Sequence, residues 1–164
     1  MIEVQPTRTL GAILYERFEL LDACGPLEMF GGVGPELRIV TVAERAGSIT
    51  SVQGPKTVAD HDFANCPKLD LILLPGGFGT VEQLGNAALH AFLRDRARTA
   101  EVTMSVCSGS AILAKAGLLD GLRATSNKQW FDLARMQSAN VDWVTEARWV
   151  EDGPFVTSSG VSAG

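Results

Sequence analysis

Apolar residues fall in short runs bounded by glycine, proline and polar clusters, and the runs switch between two spacings. Thr9–Tyr15, Leu37–Val42, Leu69–Leu74 and Val102–Val106 are short and apolar-rich, as strands buried in a sheet read. Between them the apolar positions take helical spacing. Ala23–Phe30 forms a short helix, with Pro26 suited to a first turn. Val81–Ala97 forms a long one with Leu84, Leu89, Phe92 and Leu93 inward, and Lys128–Met136 another with Trp130, Leu133 and Ala134 inward. Gly47–Gly54 alternates in the manner of a peripheral hairpin, and Arg123–Ser126 makes a short strand. Asp60–Phe63 starts a one-turn helix that Cys66-Pro67 stops, and Asp152-Gly153 is a turn between two late strands.

Strands alternating with helices imply one α/β domain over residues 1–164, a doubly wound and mainly parallel sheet with helices on both faces. Such folds bind ligands beyond the C-terminal strand ends. Three loops meet there: the one after Tyr15 carrying Asp22, the Pro75-Gly76-Gly77 loop, and the turn at Cys107.

Cys107 sits where strand Val102–Val106 gives way to a helix beginning at Ser108, with stop signals at Gly117 and Gly121. A residue at such a sharp turn projects above the sheet edge. Free amides and the helix dipole there predict a lowered thiol pKa and a nucleophile. The glycines of Pro75-Gly76-Gly77-Phe78-Gly79-Thr80 let backbone amides face an oxyanion; the loop lacks both the Lys-Ser/Thr of a phosphate loop and the dinucleotide glycine spacing. Asp22 and Glu28 are the carboxylates that could hydrogen-bond the sulfur and carry its proton, although Asp22 also suits a helix N-cap.

Histidine is scarce. His61 precedes the central strand and His90 lies mid-helix, so neither leads to Cys107, and a Cys-His hydrolase is disfavoured. Cys24 and Cys66 read as packing residues, with a minority redox reading for Cys24 should its helix cover the site. Wide cysteine spacing gives no disulfide framework and no metal set. The net charge of −5 argues against a nucleic-acid surface, and no apolar run approaches the ~18 residues of a membrane span. With no signal-peptide pattern at Met1–Arg8, the expectation is a cytoplasmic protein acting on a small molecule.

Together, Leu21-Asp22-Ala23-Cys24-Gly25-Pro26, Leu74-Pro75-Gly76-Gly77, Ser105-Val106-Cys107-Ser108-Gly109-Ser110, Ala116–Gly121 with Arg123-Ala124-Thr125, and Ser159–Gly164 resemble the ThiJ/PfpI superfamily and its isonitrile hydratase-like branch. The resemblance implies a flavodoxin-like sandwich, usually a homodimer, that works without metal or organic cofactor. It implies Cys107 as nucleophile attacking an isonitrile carbon, Asp22 as acid/base, and Ser108 and Gly77 as amide donors. Two departures stand out. Many relatives carry Thr-His-Trp where this chain has Ser126-Asn127-Lys128, and Asn127 cannot act as a base. Relatives also continue for at least one more helix after the Ser-Ala-Gly run. Redox sensing through Cys107 and non-catalytic ligand sensing are the alternatives that the same residues leave open.

Overall fold

The computed structural model describes residues 7–164. A seven-stranded sheet takes the order β10-β11-β7-β6-β1-β2-β5, with β1 Arg8–Ile13, β2 Leu37–Ala43, β5 His61–Asp62, β6 Leu71–Leu74, β7 Val102–Val106, β10 Trp149–Asp152 and β11 Phe155–Ser158. Every pairing is parallel except β10 with β11, whose hairpin turns at Asp152-Gly153 as the sequence predicts. The chain builds outward from β1 to β2 and β5, then returns to the other side of β1 for β6 and β7. That reversal makes the β1–β6 boundary a topological switch point, where parallel sheets open a crevice at their C-terminal ends.

Two small strand pairs lie outside the main sheet, the antiparallel hairpin of β3 Gly47–Thr50 with β4 Lys56–Ala59 and the parallel pair of β8 Arg123–Ala124 with β9 Asp142–Trp143. The helices are α1 Leu20–Gly31, α2 Thr80–Gln83, α3 Ala87–Ala97, α4 Gly109–Lys115 and α5 Phe131–Arg135. One sheet face buries Ile13, Ile72 and Leu74 with Leu89 and Leu93 of α3 and Ile112 and Leu113 of α4. The other buries Leu10, Ala12, Leu73 and Val106 against Leu27 and Phe30 of α1. The alternation of Leu10 and Ala12 with Ile13 along β1 follows from the two-residue period of a strand.

Several predicted boundaries move, each for a local reason. The single helix over Val81–Ala97 is two, because the chain turns at Gly85 and Asn86 restarts it by accepting the Leu89 amide at 3.0 Å. Asp60–Phe63 contributes an edge strand rather than a helical turn. α1 starts at Leu20, so Pro26 is inside the helix and Asp22 lies in its first turn instead of capping it. Pro26 has no N–H to offer Asp22, four residues back, and its buried ring packs inward instead. In α5 the inward residues are Phe131 and Ala134, while Trp130 stays half-buried.

Candidate active site

Cys107 has φ +58°, a left-handed conformation that is strained for a residue with a Cβ. The surroundings hold it there. Its amide donates to the Ser158 carbonyl at 3.0 Å, and its carbonyl accepts from the hydroxyls of Ser110 at 3.3 Å and Ser126 at 3.2 Å. Two glycines permit the turn by lacking side chains. A Cβ on Gly160 would stand 2.5 Å from Cys107 Cβ, and one on Gly76 would stand 2.6 Å from both the amide nitrogen and Oγ of Ser108. Gly76→Ala is therefore expected to displace Ser108 and Cys107 by a few tenths of an ångström or more. A fold that persists by circular dichroism with Cys107 reactivity cut on the order of 100-fold is the outcome to look for; unchanged reactivity would show that the turn tolerates the methyl.

Asp22 comes to the same point from α1 and is wholly buried. Its Oδ2 accepts the Gly76 amide at 3.0 Å, while Oδ1 has no N–H or O–H partner. Burial pushes the carboxyl up to about 7, and the Glu19 charge adds to the rise; the Gly76 bond and the neighbouring Cys107 thiol oppose it. Glu28, the alternative carboxylate, is exposed on α1 and does not enter the site.

The expected low thiol pKa is not found. Burial pushes Cys107 up to about 12, and the Asp22 charge acts in the same direction. The Ser108 amide, and the side chains of Asn127 and Ser108 to the extent that they turn a proton to a thiolate, oppose this without overcoming it. A seven-residue helix whose first amide reaches the sulfur does not outweigh desolvation of a charge beside a second acid. The resting pair is a protonated thiol beside a carboxyl that titrates near neutrality.

The amides of Gly76 and Gly77, expected to be free for an oxyanion, are engaged. Gly76 donates to Asp22, and Gly77 donates to Ser108 Oγ at 3.1 Å. Asn127 does reach the site. Its Oδ1 accepts the amides of Gln129 and Trp130, both at 3.0 Å, which turns its NH₂ group toward the sulfur as a donor. Cys24 is exposed and Cys66 is buried, its Sγ on the Pro67 carbonyl at 3.3 Å. His90 binds the Gln83 carbonyl at 2.9 Å inside α3, and His61 lies on edge strand β5. Neither histidine approaches Cys107, as the sequence predicts.

Cys107 opens into a pocket of about 220 Å³ lined by Glu19, Phe78, Ser108, Asn127 and Trp130 among others. Phe78 and Trp130 pack at 5.1 Å between ring centroids and form its apolar wall. Tyr15 and Phe18 are buried and do not line this pocket. Glu19 was missed because nothing in its spacing separates it from the surrounding loop. A wider cleft of about 400 Å³ lies beside Tyr15, Glu44 and Arg45, but it holds neither Cys107 nor Asp22, and Glu44 is tied to Asn86 at 2.9 Å.

Comparison with known proteins agrees with this fold. The model of the DJ-1/PfpI family matches residues 10–164. The chain is 32% identical over 155 residues to the isonitrile hydratase of Pseudomonas putida, a match covering 94% of this chain and 66% of that enzyme. It is 30% identical over 162 residues to an HTH-type transcriptional regulator of Pseudomonas aeruginosa, covering 94% of this chain and 43% of the regulator. The crystal structure of a ThiJ/PfpI family protein from Pseudomonas syringae superposes with a TM-score of 0.84 at 35% identity, over 97% of this chain and 65% of that one. The chain thus spans about two thirds of the hydratase and of the solved structure.

Proposed function

The chain belongs to the DJ-1/PfpI family, and from that premise we propose that it is an isonitrile hydratase-like enzyme, converting an isonitrile and water to an N-substituted formamide. One observation carries the reading: the buried carboxyl of Asp22 lies beside the buried thiol of Cys107, the thiol keeping its proton and the carboxyl titrating near 7, so that a protonated acid is available up to neutral pH. Most cysteine nucleophiles need a thiolate. The terminal carbon of an isonitrile differs, because the same atom carries a lone pair that takes a proton and then accepts a nucleophile. A neutral acid beside a neutral thiol suits that chemistry.

The steps follow from the pair. Asp22 gives its proton to the isonitrile carbon; Cys107 Sγ bonds to that carbon, and the thiol proton passes to the Asp22 carboxylate. The product is a thioimidate, with Asp22 protonated again. Water then adds to the thioimidate carbon as the nitrogen takes a proton, Asp22 exchanging one for the other. The C–S bond breaks, the sulfur leaves with the hydroxyl proton, and the formamide is released. Atoms balance as isonitrile plus water. No oxyanion need build up along this path, which accords with the amides of Gly76 and Gly77 being committed to Asp22 and Ser108. The apolar wall of Phe78 and Trp130 would receive the substituent on nitrogen.

A peroxide-sensing role asks for a thiolate, which burial and Asp22 both disfavour. Incubation with alkyl and aryl isonitriles in ¹⁸O-water tests the proposal. Formamide carrying the heavy oxygen is expected, in amounts exceeding the enzyme. No turnover of either substrate class would overturn it in favour of ligand sensing.

A further inference from the structure

Behind Cys107 lies a file of hydroxyl groups whose direction can be worked out from their distances. Tyr15 Oη is 2.6 Å from the Pro75 carbonyl oxygen and 3.2 Å from Thr80 Oγ1. Thr80 Oγ1 is 2.8 Å from Ser108 Oγ, which accepts the Gly77 amide at 3.1 Å. All three side chains are buried. Burial also holds the Tyr15 phenol well above its ordinary range, so it keeps its proton.

Each hydroxyl has one proton, and a carbonyl can only accept. Tyr15 must therefore spend its proton on Pro75, at the shortest distance in the file. Its oxygen is left to accept from Thr80, and Thr80, its own proton used, accepts from Ser108. The file runs one way, from the Gly77 amide through Ser108, Thr80 and Tyr15 to the Pro75 carbonyl. The other oxygen near Ser108, the Gly77 carbonyl, is 3.5 Å away, at the outer edge of hydrogen bonding. Along either branch the Ser108 proton points away from Cys107, the residue before it.

We propose that Tyr15 and Thr80 are positioning residues: the hydroxyl file they anchor draws the Ser108 proton away from the Cys107 sulfur and so withholds one hydrogen bond from the thiolate. Ser108 and Cys107 are consecutive and line the same pocket, so a freed Ser108 hydroxyl can turn to a thiolate, and a hydrogen bond to a charged acceptor is stronger than one to a neutral oxygen. Freeing that proton should make the thiol more acidic. The other groups facing the sulfur are the Asp22 carboxyl from α1, the Tyr15 phenol itself, and Glu19 at the pocket mouth. On the α5 side Asn127 is neutral, and Lys128 turns its Nζ onto Thr125 and Ala147, at 2.8 and 2.6 Å. The proposal rests on Cys107 being the reactive group and not on what it reacts with.

The test is the rate of iodoacetamide alkylation at pH 8, read by mass on the Cys107 peptide so that exposed Cys24 does not interfere. In Tyr15→Phe, Thr80 loses its acceptor and turns its proton to Ser108, which releases the Ser108 proton to the sulfur. The rate should rise about three- to tenfold, a tenfold gain in thiolate being partly offset by its weaker nucleophilicity. Thr80→Val should accelerate likewise, and Thr80→Ser, which keeps the hydroxyl, should match wild type. In a Ser108→Ala background Tyr15→Phe should change nothing. Unchanged or slower alkylation in both Tyr15→Phe and Thr80→Val would overturn the proposal, as would an equal acceleration in the Ser108→Ala background. A purely structural role moves the melting temperature and not this pattern. Because alkylation needs no isonitrile, failure of the file and failure of the hydratase reading are separate results.

Discussion

Cys107→Ala is expected to abolish isonitrile hydration, lowering kcat/KM by at least about 10³-fold, with the fold intact. The sulfur forms the covalent bond in the proposed path, and no neighbour can replace it. Ser108 holds its hydroxyl in the buried file, Cys24 is on the surface and Cys66 is sealed elsewhere. Alanine fits the site sterically, being smaller than cysteine, and keeps the three backbone bonds to Ser158, Ser110 and Ser126. It also keeps the left-handed strain, of order 1–3 kcal/mol, so its melting temperature should stay close to wild type. Cys107→Gly relieves that strain and should melt higher while being equally inactive. Following the formyl proton by NMR gives the measurement. An alanine variant turning over within twofold of wild type would remove Cys107 from the chemistry and the proposed function with it.

The residues of the site were legible in sequence to different depths, for physical reasons. Cys107 announced itself because a buried strand running into a small-residue helix is a local pattern. The Pro75-Gly76-Gly77 loop did the same. The family resemblance points to Asp22, but residue spacing alone does not separate it from Glu28, since both lie on one helix and only the packing of α1 decides which face is inward. The acidity of the thiol went the wrong way. A helix start is visible in sequence, whereas the depth of burial and the approach of Asp22 are tertiary facts. The contact between Tyr15 and Thr80 carried no signal, the two being 65 residues apart in the chain and brought together by the β1–β6 pairing. Asn86 is different. Gly85 followed by an asparagine, with the Leu89 amide three residues on, is a capping pattern that could have divided the long helix from sequence alone.

Asp22→Asn is expected to separate function from stability. The amide has nearly the same shape and its Oδ1 can accept the Gly76 N–H, but it can neither give nor take a proton. Loss of a general acid of this kind costs about 10²–10⁴-fold in rate. For wild type, kcat/KM should fall as pH rises through about 7, the Asp22 value, because the proton to be delivered is lost. The asparagine variant should lack that step. Stability runs oppositely. Unfolded, the carboxyl ionises near its model value of 3.8; folded, it resists until about 7. Between those values the folded state binds the extra proton, so wild-type stability declines as pH rises through the interval and levels off above it. At pH 8 the difference amounts to roughly 3–4 kcal/mol. Asparagine carries no such penalty. Relative to wild type, its melting temperature should thus be about 6–16 °C higher at pH 8 than the same comparison gives at pH 4. Parallel melting curves for the two proteins across that range would mean that Asp22 titrates in the folded protein as it does unfolded and is ionised at neutral pH. The thiol would then face a carboxylate at rest, and delivery of a proton from Asp22 to the isonitrile carbon could not be the first step.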